Sequence, residues 1–223
     1  MKFLRALKKN NRREWFQPRK QVYEEQVKAP MLELVAAVNR EMMRFAPEYV
    51  REPERAVYRV YRDTRFSHDK TPYKTHIAAV FNRRGLAKHA GAGLYFSVSP
   101  KEIEIAGGVY MPGPEELRAI RLHLLDRHTE FNKIVNRRGL QSLMGELKGD
   151  SLSRVPKGFP AEHPAADLVR RKQWLLWTML DPGLATTPEL VREIVKRFRA
   201  MTPFNDFLNA PLVRARRPLP GYG

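Results

Sequence analysis

Residues 94–105 read LYFSVSPKEIEI. Leu94, Phe96 and Val98 alternate with Tyr95, Ser97 and Ser99, and then Ile103 and Ile105 alternate with Glu102 and Glu104. A period of two sends successive side chains to opposite faces of an extended chain, so each half predicts a strand with one apolar and one polar face. Ser99 to Glu102, with proline at the second position, suits the tight turn between them. One buried face and one polar face is the mark of an antiparallel sheet covered on one side. Working outward, IAAVF at 77–81 and AVYRVYR at 56–62 read as two further strands. Gly107 and Gly108 mark a bulge or the end of the last strand. The expected fold class is α+β, with about four antiparallel strands between residues 56 and 110 and helices from both ends of the chain on one face.

The flanks read as helices. Phe3, Leu4 and Leu7 share one face of a short helix over 3–9, and Asn11 followed by Glu14 has the spacing of a capping box. From Arg19 to Phe45 the apolar positions Val22, Val27, Met31, Leu34, Val35, Val38 and Met42 recur at helical spacing, with Pro18 marking a start and Pro30 a kink or break. Pro114 to Asp126 is a helix with proline in its first turn and Glu115 and Glu116 beside its N-terminus. A second short helix follows through Ile134. Residues 139–164 read as an irregular connection, 165–180 as a helix, and Thr187 opens a last long helix carrying Leu190, Ile194, Val195, Phe198 and Met201. Residues 1–210 are expected as one domain and 211–223 as a disordered, basic, proline-rich tail.

Composition narrows the chemistry. The chain has no cysteine, which removes disulfides, thiolate ligands and a cysteine nucleophile. It lacks the run of about 7–15 apolar residues of a signal peptide and the roughly 20 that span a bilayer, so the expected location is the cytoplasm, with no membrane partner. The formal net charge of +17 attracts polyanions at long range, nucleic acid among them. The runs Arg170, Arg171, Lys172 and Arg192, Lys196, Arg197, Arg199 read as solvated helix faces, and Trp15, Trp174 and Trp177 as core anchors rather than stacking platforms.

Function is expected where charge is densest. Between positions 59 and 74 the sequence RVYRDTRFSHDKTPYK sets Arg59, Arg62, Arg65, Lys70 and Lys74 against Asp63 and Asp69. Alternation puts Arg59 and Tyr61 on one face and Tyr58, Val60 and Arg62 on the other. Arg62 then lies at the core side, where it needs a carboxylate such as Asp63 or Asp69. Three uses of the charge stay open. Arg62, Asp63 and Asp69 can form a structural network, with Phe66 and Tyr73 as plugs, in which case the chain is an interaction protein whose charge cluster is purely structural. Arg59, Arg65, Lys70 and Lys74, with Ser67 and Thr71 adding hydroxyls, can bind a phosphate-containing or nucleic-acid ligand through forked guanidinium and point-charge contacts. A third use makes Asp63, Asp69 and Tyr73 the acid–base groups of an enzyme. No metal is expected, since His68, Asp69 and His76 lack ligand spacing, and no cofactor motif is present.

The same stretch fits the pattern RxxRDxRFxxxKxxY and so resembles the bacterial domain-of-unknown-function family numbered two-four-six-one. FLRALKKNNRREWF at the N-terminus, GVYMP at 108–112 and LVRRKQWLL at 168–176 support that resemblance. It implies a single-domain bacterial protein and carries over no catalytic or binding residues.

Overall fold

A strand can pass close to another backbone only where no side chain stands between them, and Gly108 provides such a place. The computed structural model describes residues 1–65, 67–87 and 90–214. In chain order the helices α1 (Lys2–Lys9), α2 (Arg13–Phe16), α3 (Lys20–Tyr23), α4 (Ala29–Met42) and α5 (Pro53–Ala56) precede the strands β1 (Ile77–Asn82), β2 (Gly93–Val98) and β3 (Ile103–Val109). Helices α6 (Pro114–Val135), α7 (Arg138–Met144) and α8 (Ala166–Arg170) follow, then β4 (Trp174–Leu180) and α9 (Glu189–Arg214). Among the described residues the sheet has four antiparallel strands in the order β1-β2-β3-β4, with helices at both ends of the chain. The α+β class and the strand number are as expected.

The membership of the sheet is different. The fourth strand is 174–180, read from sequence as the end of a helix, whereas 56–62 forms no regular strand. Gly108 does not end β3 either. It adopts φ +119, and a Cβ there would overlap the carbonyl of Trp174 and press on Leu175, so glycine is what lets β4 lie beside β3. Both sheet edges are occupied. Val57 bridges Ala79 and the Tyr58 amide donates to Ala78 O at 2.9 Å along β1. Along β4, Lys148 and Leu175 exchange amide bonds of 2.7 and 3.1 Å, and just before that strand Ser151 bridges Arg171. The connection 139–164 thus contains α7 and a strand-like run.

By its internal contacts the chain forms two compact units, the first from residues 1–81, 95–105 and 179–195, the second from 82–94, 106–178 and 196 onward. The first is built on an aromatic cluster. Phe3 meets Trp15, Phe16 and Tyr23, while Phe16 lies against Tyr61 and stacks on Tyr73 at 4.1 Å between centroids. Helix α4 adds Met31, Val35, Val38 and Met42, all buried. The turn Glu24–Lys28 is widened to a π-helix just before Pro30, which lacks an amide and crowds the carbonyl four residues back. The expected break therefore takes the form of a widened turn.

In the second unit α6 is one helical run broken only at Arg127, where φ is −122 and ψ 24. Helix α9 donates and accepts through Asn209, whose amide bonds Ala92 O at 3.0 Å and whose oxygen takes the Ala92 amide at 2.8 Å. A Cβ on Gly91 would overlap that Asn209 oxygen. Phe131 packs on Phe204 and Phe207 from the same helix. Helix α9 reaches Arg214; the rest of the basic tail lies outside the described residues. No helix among the described residues is long and apolar enough to cross a membrane.

Candidate anion-binding loop

Residues 57–62 and 72–79 form an irregular antiparallel ribbon within the first unit. Besides the Val57 bridge, Tyr61 bridges Tyr73, Arg62 N donates to Pro72 O at 2.9 Å, and Lys74 N donates to Val60 O at 2.8 Å. Pro72 has no amide to offer and serves here only as acceptor. The alternation places side chains as the sequence predicts: Val60 is buried while Arg59 and Tyr61 are exposed.

The base of the ribbon is pinned from the N-terminal helices. Asn11 makes no cap on α2; its amide nitrogen donates to Tyr73 O at 2.8 Å and its oxygen accepts from Tyr73 N at 3.0 Å. With the Tyr73 ring stacked on Phe16, both backbone and side chain of this residue are fixed. The local capping rule gave way to a partner 62 residues distant.

Charge pairs then shape the loop from 63 to 71. The Arg62 guanidinium pairs with the Asp69 carboxylate and donates to the Thr71 hydroxyl, and the Thr71 amide donates to Asp69 Oδ1 at 2.9 Å. Arg65 grips Asp63 with both arms of its fork, Nε to Oδ1 at 3.1 Å and Nη2 to Oδ2 at 2.8 Å. The Lys70 ammonium donates to Thr64 O at 2.9 Å, which draws the two sides of the loop together. Lys74 donates to Arg59 O at 3.2 Å and sits 4.9 Å above the Tyr58 ring. Phe66 lies outside the described residues.

These partners set the protonation states. Hydrogen bonds from the Arg65 side chain and amide hold the Asp63 carboxyl at about 2, and the Arg62 guanidinium and the Thr71 amide hold Asp69 at about 2. Burial raises the Tyr73 phenol. Burial, then Lys74 and Arg62, lower His76. On the polar side of the β2–β3 hairpin, burial pushes Tyr95 to about 12, and burial followed by Glu102 raises Glu104.

The structure thus divides the seven charged candidates. Arg62 with Asp69, and Arg65 with Asp63, are ion pairs; Lys70 and Lys74 hold main-chain carbonyls; Arg59 is exposed beside Asp63 without an ion pair to it. Among the described residues no three His, Asp or Glu side chains come together as metal ligands. Of the basic runs read as solvated faces, Arg197 is buried and Arg171 bonds carbonyls, while Trp174 is a buried strand residue. Sequence reasoning missed Asn11 as the anchor of the loop, because no short-range pattern announces a pairing across that separation.

The chain matches the family described as conserved hypothetical protein, DUF2461, over residues 1–207. No curated protein and no solved structure matches it. The chain belongs to the DUF2461 family.

Proposed function

We propose that this member of the DUF2461 family is a binding module for a phosphate-bearing ligand, taken up on the loop between Arg59 and Lys74. The observation that carries the reading is that Arg59 and Lys70 form no ion pair with any carboxylate among the described residues, on a loop whose shape is already held by Arg62–Asp69 and Arg65–Asp63. A hydrogen bond from an ammonium to a carbonyl leaves its charge uncancelled, so an incoming phosphate meets cations that a brace has prepositioned. The acid–base alternative built on Asp63, Asp69 and Tyr73 fits less well. Two carboxyls held near 2 by guanidinium and amide bonds are weak bases, and a phenol stacked beneath Phe16 is poorly placed to meet a substrate.

Isothermal titration at low salt with inorganic phosphate, a nucleoside triphosphate and a short single-stranded oligonucleotide tests the proposal. Binding is expected to weaken roughly tenfold or more in an Arg59→Gln, Lys70→Gln variant with an unchanged circular dichroism spectrum. For the oligonucleotide, the slope of log affinity against log salt should also shrink by about 0.7 for each phosphate contact removed. Equal affinity in the wild type and the double variant, or no binding at all, would count against it.

A further inference from the structure

The second unit holds a different excess of cations, and this one is buried. Arg121, on α6, is 7% exposed, yet among the described residues its five N–H groups make a single hydrogen bond, from Nη2 to Arg171 O at 3.0 Å, and its Nε is buried with no partner there. Arg171 itself is half-buried and donates to Leu147 O and Gly149 O at 3.4 and 3.5 Å. No ion pair involves either guanidinium among the described residues; Asp167, the acid nearest in charge to Arg171, is bonded to Arg170 at 3.5 Å. Burial lowers the pKa of both groups, opposed at Arg171 by the charge of Asp167. Two more buried donors close to Arg171 in sequence, Arg170 Nε and Trp174 Nε1, also have no acceptor among the described residues. Buried polar groups in native structures are nearly always satisfied, and buried cations are nearly always paired. Arg121 and the segment 170–174, which its guanidinium meets at Arg171 O, therefore carry three buried N–H groups without an acceptor among the described residues and two guanidiniums without an ion pair.

We propose that this region is a site for a compact oxyanion, a carboxylate or a phosphate group, held by the forked guanidinium of Arg121 beside Arg171. An oxyanion supplies both what the donors need and what the charge needs; a water molecule supplies only the first. Planar guanidinium matches either ligand bidentately, which lysine cannot do. The site is separate from the loop at 59–74 and does not depend on it.

The test is thermal unfolding of the full chain with inorganic phosphate or acetate, each against sodium chloride at the same ionic strength. The wild type and the Arg59→Gln, Lys70→Gln variant should both gain melting temperature from at least one oxyanion beyond the chloride control. Which of the two oxyanions acts identifies the ligand class. In the Arg59→Gln, Lys70→Gln background, where the loop contributes nothing, Arg121→Met should lose that gain, and Arg121→Lys, which keeps the charge and most of the volume, should bind roughly tenfold more weakly. In wild-type protein labelled with ¹⁵N-arginine, the Nε–H resonance absent from the Arg121→Lys spectrum should shift during the same titration. No gain over chloride in the wild type, or an undiminished gain in whichever Arg121 variant folds, overturns the proposal. So does a gain that disappears in the loop variant.

Discussion

Asn11 and Tyr73 are joined as two strands would be: one side chain gives and takes the two hydrogen bonds that a neighbouring backbone would exchange with residue 73. Asn209 does the same for Ala92 in the second unit. A carboxamide has a donor and an acceptor at nearly the spacing of a peptide group, so asparagine can end a ladder where no strand is available. At Tyr73 this fixes the limb that carries Lys70, Thr71 and Lys74.

Replacing Asn11 by Ala should cost about 1–3 kcal/mol of stability, measured by urea unfolding, since two part-buried main-chain groups lose their partners. Asn11→Asp should cost more, because a carboxylate cannot donate to Tyr73 O. A variant with an unchanged midpoint would show that the pairing is energetically idle.

Acid should loosen the loop before it unfolds the rest. The carboxyls of Asp63 and Asp69 lie at about 2 in the folded chain, below their ordinary 3.8, so the unfolded state binds protons first as pH falls. Their contribution is complete above about pH 4 and disappears as pH drops toward 2. Denaturation midpoints measured from pH 6 to 2 should fall less steeply in Asp69→Asn. An identical slope would mean that Arg62 and Thr71 do not hold this carboxylate in solution.

Glu104 should act with the opposite sign. Burial raises its carboxyl above the ordinary 4.5, so the folded state holds the proton more tightly. Its stabilising contribution is complete below about pH 4.5 and is lost as pH rises through the folded value. Glu104→Gln should therefore be more stable than the wild type at pH 7 and lose that advantage at pH 4, as read from urea midpoints at both pH values. A variant less stable at pH 7 would point to a partner for the ionised carboxylate.

Two glycines should behave oppositely. Gly108→Ala combines a left-handed backbone with an overlap on Trp174 O, and should cost about 2–6 kcal/mol or prevent folding. Gly139, within α7, has open space where a Cβ would stand, so Gly139→Ala should gain up to about 1 kcal/mol. Thermal melts of the two variants, compared side by side, decide both.

How far the sequence reveals this fold depends on whether a residue's partner is near in the chain. The alternation of 94–105 is legible because one hairpin face is buried and the other half-open: Leu94, Phe96, Ile103 and Ile105 are buried, while Tyr95 and Glu104 are not. WLLWTML at 174–180 hides its strand because Trp174 and Leu176 are buried on one face and Leu175 and Trp177 are partly covered on the other. A strand covered on both faces reads as an unbroken apolar run, which suits a helix equally well. AVYRVYR shows the reverse case, since it has the strand pattern and an extended course but pairs only at separated points along an irregular ribbon. In the candidate site, the need of Arg62 for a carboxylate follows from alternation alone. That Arg65 would fold back onto Asp63, and that Lys70 would reach Thr64 O, depends on loop geometry that no periodicity encodes. Nothing in the helical pattern of 114–126 marks Arg121, because the carbonyl its guanidinium meets, that of Arg171, lies fifty positions later in the chain.

The segments along β1 and β4 also bear on solubility. An open strand edge is a template for another chain, and here each edge is closed by a short stretch that is not itself a regular strand. On the β1 side that stretch is the root of the cation-bearing loop. Under the proposed reading of the loop as a ligand site, a substitution that frees the ribbon to accept a new ligand also uncovers Ala78 and Ala79, so binding and resistance to self-association would draw on the same few residues.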